Sequence, residues 1–160
     1  MVNSRDVLVT FSEELNRIMQ DRNVTYRQVA LAARVTRTQM TRYKSGVCFP
    51  DLWTLVLIAD YLKCSVSELL GYSDSLPMEH RFNASELYTN EDIFADYFRD
   101  RLRQQMRLEH MNSQQLSAKS GISINYIEMY ISVHRWVPRV SEFLRICSVL
   151  ECTPSDLLGY

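Results

Sequence analysis

An all-helical protein built from two tandem, similar units is the fold class this chain predicts, and three observations carry it. The 160 residues hold only four Gly and four Pro, and few stretches alternate apolar with polar residues, so helices are favoured over hairpins. The stretch "CSVSELLGY" at Cys64–Tyr72 returns as "CTPSDLLGY" at Cys152–Tyr160, 88 residues later. A shift of 87 pairs Phe11 with Phe98, Leu15 with Leu102, Met19 with Met106, Val29 with Leu116, Val35 with Ile122, Met40 with Ile127 and Tyr43 with Tyr130. The paired positions are apolar at helical spacing, so the repeat preserves a core.

Each copy reads as five short helices. In the first they fall at about 6–22, 26–33, 37–45, 52–62 and 67–70; in the second near 91–109, 113–120, 124–132, 141–150 and 155–158. Thr25, Thr36, Asp51 and Ser65 or Ser67 are the expected N-caps of the first copy; Asn112, Ser123 and Thr153 take that part in the second. Pro50 meets Pro138 at a shift of 88, which places one extra residue in the second copy's loop. The chain therefore divides into residues 1–72, a linker at 73–90, and a second copy at 91–160.

Charge sets the middle apart. Residues 73–97 hold one Arg against six acids, net −5, whereas residues 1–72 and 98–160 are each net +2. The whole chain is at −1, so any case for nucleic-acid binding has to be local. No apolar run approaches a membrane span of about 18 residues, and "MVNSRDVLVTF" lacks a signal-peptide core, so a cytoplasmic protein without membrane association is expected. Cys48, Cys64, Cys147 and Cys152 form no C-x-x-C pair and read as small buried thiols; no metal site is expected. His80, His110 and His134 are scattered, and there is neither a Gly-rich phosphate loop nor a nucleophile motif. No enzyme activity, no cofactor and no small-molecule ligand are implied.

Residues 25–46, "TYRQVALAARVTRTQMTRYKSG", carry the chemistry. A short helix with inward Val29 and Ala30 leads through a tight turn to a second helix with inward Met40 and Tyr43. Ala30 and Ala33 are small enough for the two helices to cross closely, which is helix-turn-helix geometry. With the downstream "PDLWTLVLIADYLKCSVSELL", this pattern resembles the lambda-repressor-like, Cro/repressor-type (XRE) DNA-binding domain. The corresponding elements are Thr25-Tyr26 at the start of the second helix, Val29-Ala30 inside it, Arg34-Val35-Thr36 at the turn, and Pro50-Asp51-Leu52-Trp53-Thr54-Leu55 at the fourth helix. Arg34 stands where that family prefers Gly, and the loop "GVCFP" is apolar where relatives often carry basic residues. The resemblance covers residues 11–72 well and 98–160 more loosely, and implies two tandem five-helix lambda-repressor-like domains.

By that resemblance Arg37, Thr38 and Arg42 face the bases of double-stranded DNA, with Gln39 and Thr41 beside them. Arg grips guanine O6 and N7 with two bonds, and Thr takes one bond or touches a thymine methyl. Thr25, Tyr26, Arg27 and Lys44 are the expected phosphate contacts. The second copy's turn, Gly121-Ile122-Ser123, is closer to the family pattern, but its recognition surface is not. Residues 36–46 are net +3, while residues 123–133 are net −1 with Glu128 as their one charge. Its reader positions are Ile124, Asn125 and Met129, of which Asn125 is the one residue suited to pairing with a base, adenine. This second copy is therefore expected to be degenerate, retained for packing and partnering.

Val47, Phe49, Trp53 and Leu57 form an apolar cluster off the inward stripe of the fourth helix and call for a partner: the other copy, the linker or another subunit. Relatives often dimerise through this region. A homodimer is expected, its first copies reading an inverted repeat with half-sites about 34 Å apart. The leading functional reading is a sequence-specific DNA-binding transcriptional regulator, a repressor. The alternative is a protein-interaction module (inhibitor, antitoxin or adaptor) on a helix-turn-helix scaffold that no longer reads DNA.

Overall fold

A computed structural model describes residues 3–72, 91–133 and 135–159. Within them lie ten helices and no strand. The first copy comprises α1 (Ser4–Asp21), α2 (Tyr26–Ala32), α3 (Arg37–Lys44), α4 (Leu52–Leu62) and α5 (Val66–Leu69). The second comprises α6 (Glu91–Leu108), α7 (Ser113–Ser120), α8 (Ile124–Ser132), α9 (Val140–Val149) and α10 (Pro154–Leu158). The expected linker at 73–90 and His134 lie outside the described residues.

Local chemistry explains the boundaries. Thr25 and Thr36 each open a helix with a reciprocal capping box, closed by Gln28 and Gln39. Asp51 accepts from the Thr54 amide at 2.8 Å, and Ser65 from the Glu68 amide at 2.8 Å. Asn112 and Thr153 cap α7 and α10 in the same way. Each such cap contributes about 1 kcal/mol, because it satisfies an amide that has no partner inside the helix. Ser123 differs from expectation: it precedes α8 but makes no side-chain cap bond.

The repeat is visible in the backbone as well as in the sequence. Left-handed residues occur in matched pairs, Asn23 with His110 and Lys63 with Glu151. The helix-turn-helix turns form a third pair, Arg34 at φ 57° and Gly121 at φ 68°. Gly adopts that conformation freely, whereas a side chain with a Cβ costs about 1–2 kcal/mol there.

One buried apolar cluster runs through both copies. Phe11, Leu15, Leu52, Leu55 and Ile58 fill the first half of it, and Phe98, Leu102, Phe143 and Ile146 the second. The described residues of the two copies meet at several places. Trp53 of α4 packs on Phe94 of α6, ring centroids 5.4 Å apart. Helix α5 lies against α10, where the Ser155 amide donates to Ser67 Oγ at 3.0 Å and the Ser67 amide donates to Ser155 Oγ at 3.3 Å. Finally, the loops before α4 and α9 face each other across a groove of about 380 Å³, lined by Phe49, Pro50 and Asp51 from one side and Val137 to Ser141 from the other. The Ser67–Ser155 bonds and the groove join equivalent parts of the two copies, whereas Trp53–Phe94 joins α4 of the first to α6 of the second.

Candidate nucleic-acid interface

Helix α3 is held from beneath by its apolar side. Met40 is fully buried and Tyr43 nearly so. Burial pushes the Tyr43 phenol above its ordinary pKa, with the Asp51 carboxylate adding to the effect. The α3 C-terminus is tied down by Asn16 of α1, whose side-chain amide donates to the Lys44 carbonyl at 3.0 Å. With Met40 and Tyr43 inward, the 3.6-residue period turns Thr38, Thr41, Arg42 and Ser45 directly outward. Arg37, Thr38, Gln39, Thr41 and Arg42 are all exposed. All five expected base-facing residues are therefore exposed on α3, with Thr38 near the centre of its outward side and Arg37 and Gln39 at its opposite edges.

Their hydrogen bonds separate them. The Gln39 side-chain carbonyl accepts from the Thr36 amide at 2.9 Å and from the Thr36 hydroxyl at 3.0 Å. A bidentate grip on adenine needs both that carbonyl and the amide nitrogen, so it would break the capping box. Thr41 donates its hydroxyl to the Arg37 carbonyl at 3.0 Å, which leaves the oxygen as an acceptor. Thr38 and Arg42 carry no such commitment and stand nearest the centre of the face.

The four expected phosphate contacts also divide. Thr25 accepts from the Gln28 amide and donates to the Gln28 side-chain oxygen, so its hydroxyl is committed to the α2 cap. Arg27 is exposed on the first turn of α2. Tyr26, half-buried as the first residue of α2, meets two cations: the Arg37 guanidinium lies 5.2 Å from its ring centroid and the Lys44 ammonium 5.3 Å. The first copy's sequence marks Tyr26 as a phosphate contact but gives no sign of the two cations at its ring.

The corresponding face of α8 has a different character. Ile127 and Tyr130 are its inward residues, and Tyr130 donates its hydroxyl to Glu142 at 3.0 Å. Burial and that bond hold the Tyr130 phenol well above its ordinary pKa. Outward lie Asn125 and Glu128, with exposed Ile124 and Tyr126 at the margins and Val133 and Trp136 beyond the helix end. Arg135, just past α8, is paired with Asp92 at 2.8 Å, so it adds no unpaired positive charge to this face.

The apolar cluster expected to need a partner is partly accounted for within the chain. Trp53 is 8% exposed, against Phe94; Phe49 and Leu57 are half-buried. Val47 lies away from this contact, 58% exposed. The loop turns at Gly46, φ 64°, and its next residue points to solvent despite its apolar side chain.

Among the described residues, no three His, Cys, Asp or Glu side chains gather as metal ligands, and no helix is long and apolar enough to cross a membrane.

Two helix-turn-helix units on a shared core, one with a cationic recognition face, define a class of nucleic-acid-binding protein. The chain belongs to the family of Cro/C1-type helix-turn-helix DNA-binding domains, whose model matches twice, at residues 14–75 and 101–160. It is similar to an HTH-type transcriptional activator, BcrR of Enterococcus faecalis, at 27% identity over 81 residues. That match covers 49% of this chain and 40% of the relative, less than half the length of each. No solved structure matches the chain.

Proposed function

We propose that this protein is a sequence-specific DNA-binding transcriptional regulator whose first copy reads DNA through α3. One observation carries the reading: α3 offers Arg37, Arg42 and Lys44 with no acid, while the equivalent face of α8 offers Ile124, Glu128 and Met129. Thr38 and Arg42 enter the major groove at the centre of the face, with Thr41 as an acceptor beside them; Gln39 keeps its cap. Arg27 and Lys44 bind the flanking phosphates. The second copy serves as a docked partner for the first. Regulation is by occupancy: a bound protein represses by excluding other factors from the site. The activator name of the BcrR relative supports the opposite sign, and a promoter-reporter assay with and without the protein separates the two.

One chain contains a single cationic reader, so an inverted repeat requires two chains. Trp53 is already covered inside the chain, so the second chain joins through another face. Selection from a random-sequence duplex pool tests the reading. A recovered motif with two inverted half-sites is the expected result. Recovery of no motif, with no shift of any duplex, would favour the protein-interaction module instead.

A further inference from the structure

Tyr26, Arg37 and Lys44 form a unit that their separate roles do not explain. Arg37 is the first residue of α3 and Lys44 the last. They stand seven residues apart, a rise of about 10 Å, yet both cations reach the ring of Tyr26 on the neighbouring helix. Neither Arg37 nor Lys44 joins an ion pair among the described residues. Two like charges converging on one ring repel each other, and the negative face of the ring offsets that repulsion. An anion placed beside both of them removes it.

The second copy supplies an independent observation. At the shift of 87 the three positions become Ser113, Ile124 and Ile131. The ring and both cations are absent together, while the inward partners Met40/Ile127 and Tyr43/Tyr130 stay apolar or aromatic. Three residues that differ as a set, on the surface and not in the core, belong to a task that only the first copy performs.

We propose that Tyr26 is a positioning residue for DNA binding: its ring holds Arg37 and Lys44 as a preformed double-cation clamp for the phosphodiester backbone. This rests on the reading that the first copy binds DNA. It also reassigns Arg37. Drawn toward α2, Arg37 contacts a phosphate and contributes affinity without sequence preference, while Arg42, turned outward, keeps its base-reading role. Preorganisation is what the ring adds, because two long side chains otherwise lose rotamer freedom on binding.

The test uses the full chain with two labelled duplexes, one selected from a random pool and one unrelated, across a salt series. Tyr26→Leu is expected to weaken both by the same factor, roughly three- to tenfold for two exposed cation–π contacts. The preference for the selected duplex should stay unchanged. Tyr26→Phe, which keeps the ring, should stay within about twofold of wild type. Arg37→Ala should reduce the slope of log affinity against log salt by about 1. In the Arg37→Ala, Lys44→Ala background, Tyr26→Leu should have no further effect on binding, which separates the clamp from any loss of fold.

Tyr26→Leu binding like wild type, or still costing the full factor in that background, would overturn the proposal. So would Tyr26→Phe falling as far as Tyr26→Leu, which would assign the effect to the hydroxyl. A change in sequence preference on Arg37→Ala would return Arg37 to the bases. A wild-type chain that binds neither duplex overturns the DNA reading itself, an outcome distinct from all of these.

Discussion

Ser67 and Ser155 lie 88 residues apart and each accepts the other's backbone amide, at 3.0 and 3.3 Å. Each is the second residue of its short helix, α5 or α10, where amides have no partner inside the helix. Both residues are buried, so water cannot substitute. The fold thus uses one copy to complete the other, through a contact that treats the two alike.

Ser67→Ala and Ser155→Ala should each lower stability by about 1–2 kcal/mol, because each removes the side-chain acceptor of one buried amide. The double variant should cost less than the sum by at least about 0.5 kcal/mol, since the first change already loosens the shared contact. Urea unfolding of the four proteins measures the coupling; strict additivity would mean that the two bonds form independently.

Trp53→Ala should lower stability by about 3 kcal/mol, the usual scale for emptying a buried aromatic site. The loss should appear as looser docking of α4 on α6, with faster amide exchange at both helices. Exchange that speeds up in α4 alone would contradict the Trp53–Phe94 contact.

At the helix-turn-helix turn, Arg34→Gly should stabilise the first copy by roughly 0.5 kcal/mol: relief of the left-handed Cβ strain outweighs the added chain entropy of Gly. Gly121→Ala should destabilise the second copy by roughly 1 kcal/mol. A Cβ at Gly121 would approach no closer than 3.6 Å to Arg145, so the cost lies in the backbone and not in a clash. Thermal unfolding of each variant gives the sign.

Alkaline pH should destabilise the protein. Tyr43, Tyr72 and Tyr130 all have phenols raised above their ordinary range, in each case chiefly by burial. A raised folded-state value means that the neutral form is favoured by folding. That stability is fully present below the unfolded phenol pKa of about 10 and is lost as pH climbs beyond it. Tyr130→Phe should flatten the decline, while losing the bond to Glu142 at neutral pH. Denaturant midpoints from pH 8 to 11 provide the check.

Assembly follows from the count of readers. Equilibrium sedimentation should find two chains on a duplex carrying the full inverted repeat. A single chain saturating that duplex would make the internal pair of copies the whole reading unit.

Much of the fold was legible because its causes are local. Thr25, Thr36, Asp51 and Asn112 announce helix starts by capping chemistry that acts over three residues. The inward stripe of α4, Leu52, Leu55, Ile58 and Leu62, follows from helical period alone. What covers Trp53 was not legible, because periodicity says which face is apolar and nothing about its occupant. Composition marks Val47 as apolar, but the turn at Gly46 decides where it points within the chain. The grouping of Tyr26, Arg37 and Lys44 did leave a signal, the joint replacement by Ser113, Ile124 and Ile131, but only a comparison of surface positions between the copies exposes it.

The most direct test of the central claim compares two single changes on the duplex selected by the wild-type protein. Arg42→Ala should weaken specific binding by about 10- to 100-fold, the scale of one bidentate base contact, and barely affect an unrelated duplex. Asn125→Ala should stay within about twofold of wild type on both duplexes, because the proposed reading leaves α8 off the bases. Asn125→Ala costing as much as Arg42→Ala, or Arg42→Ala leaving specific binding intact, would contradict the assignment of DNA reading to the first copy.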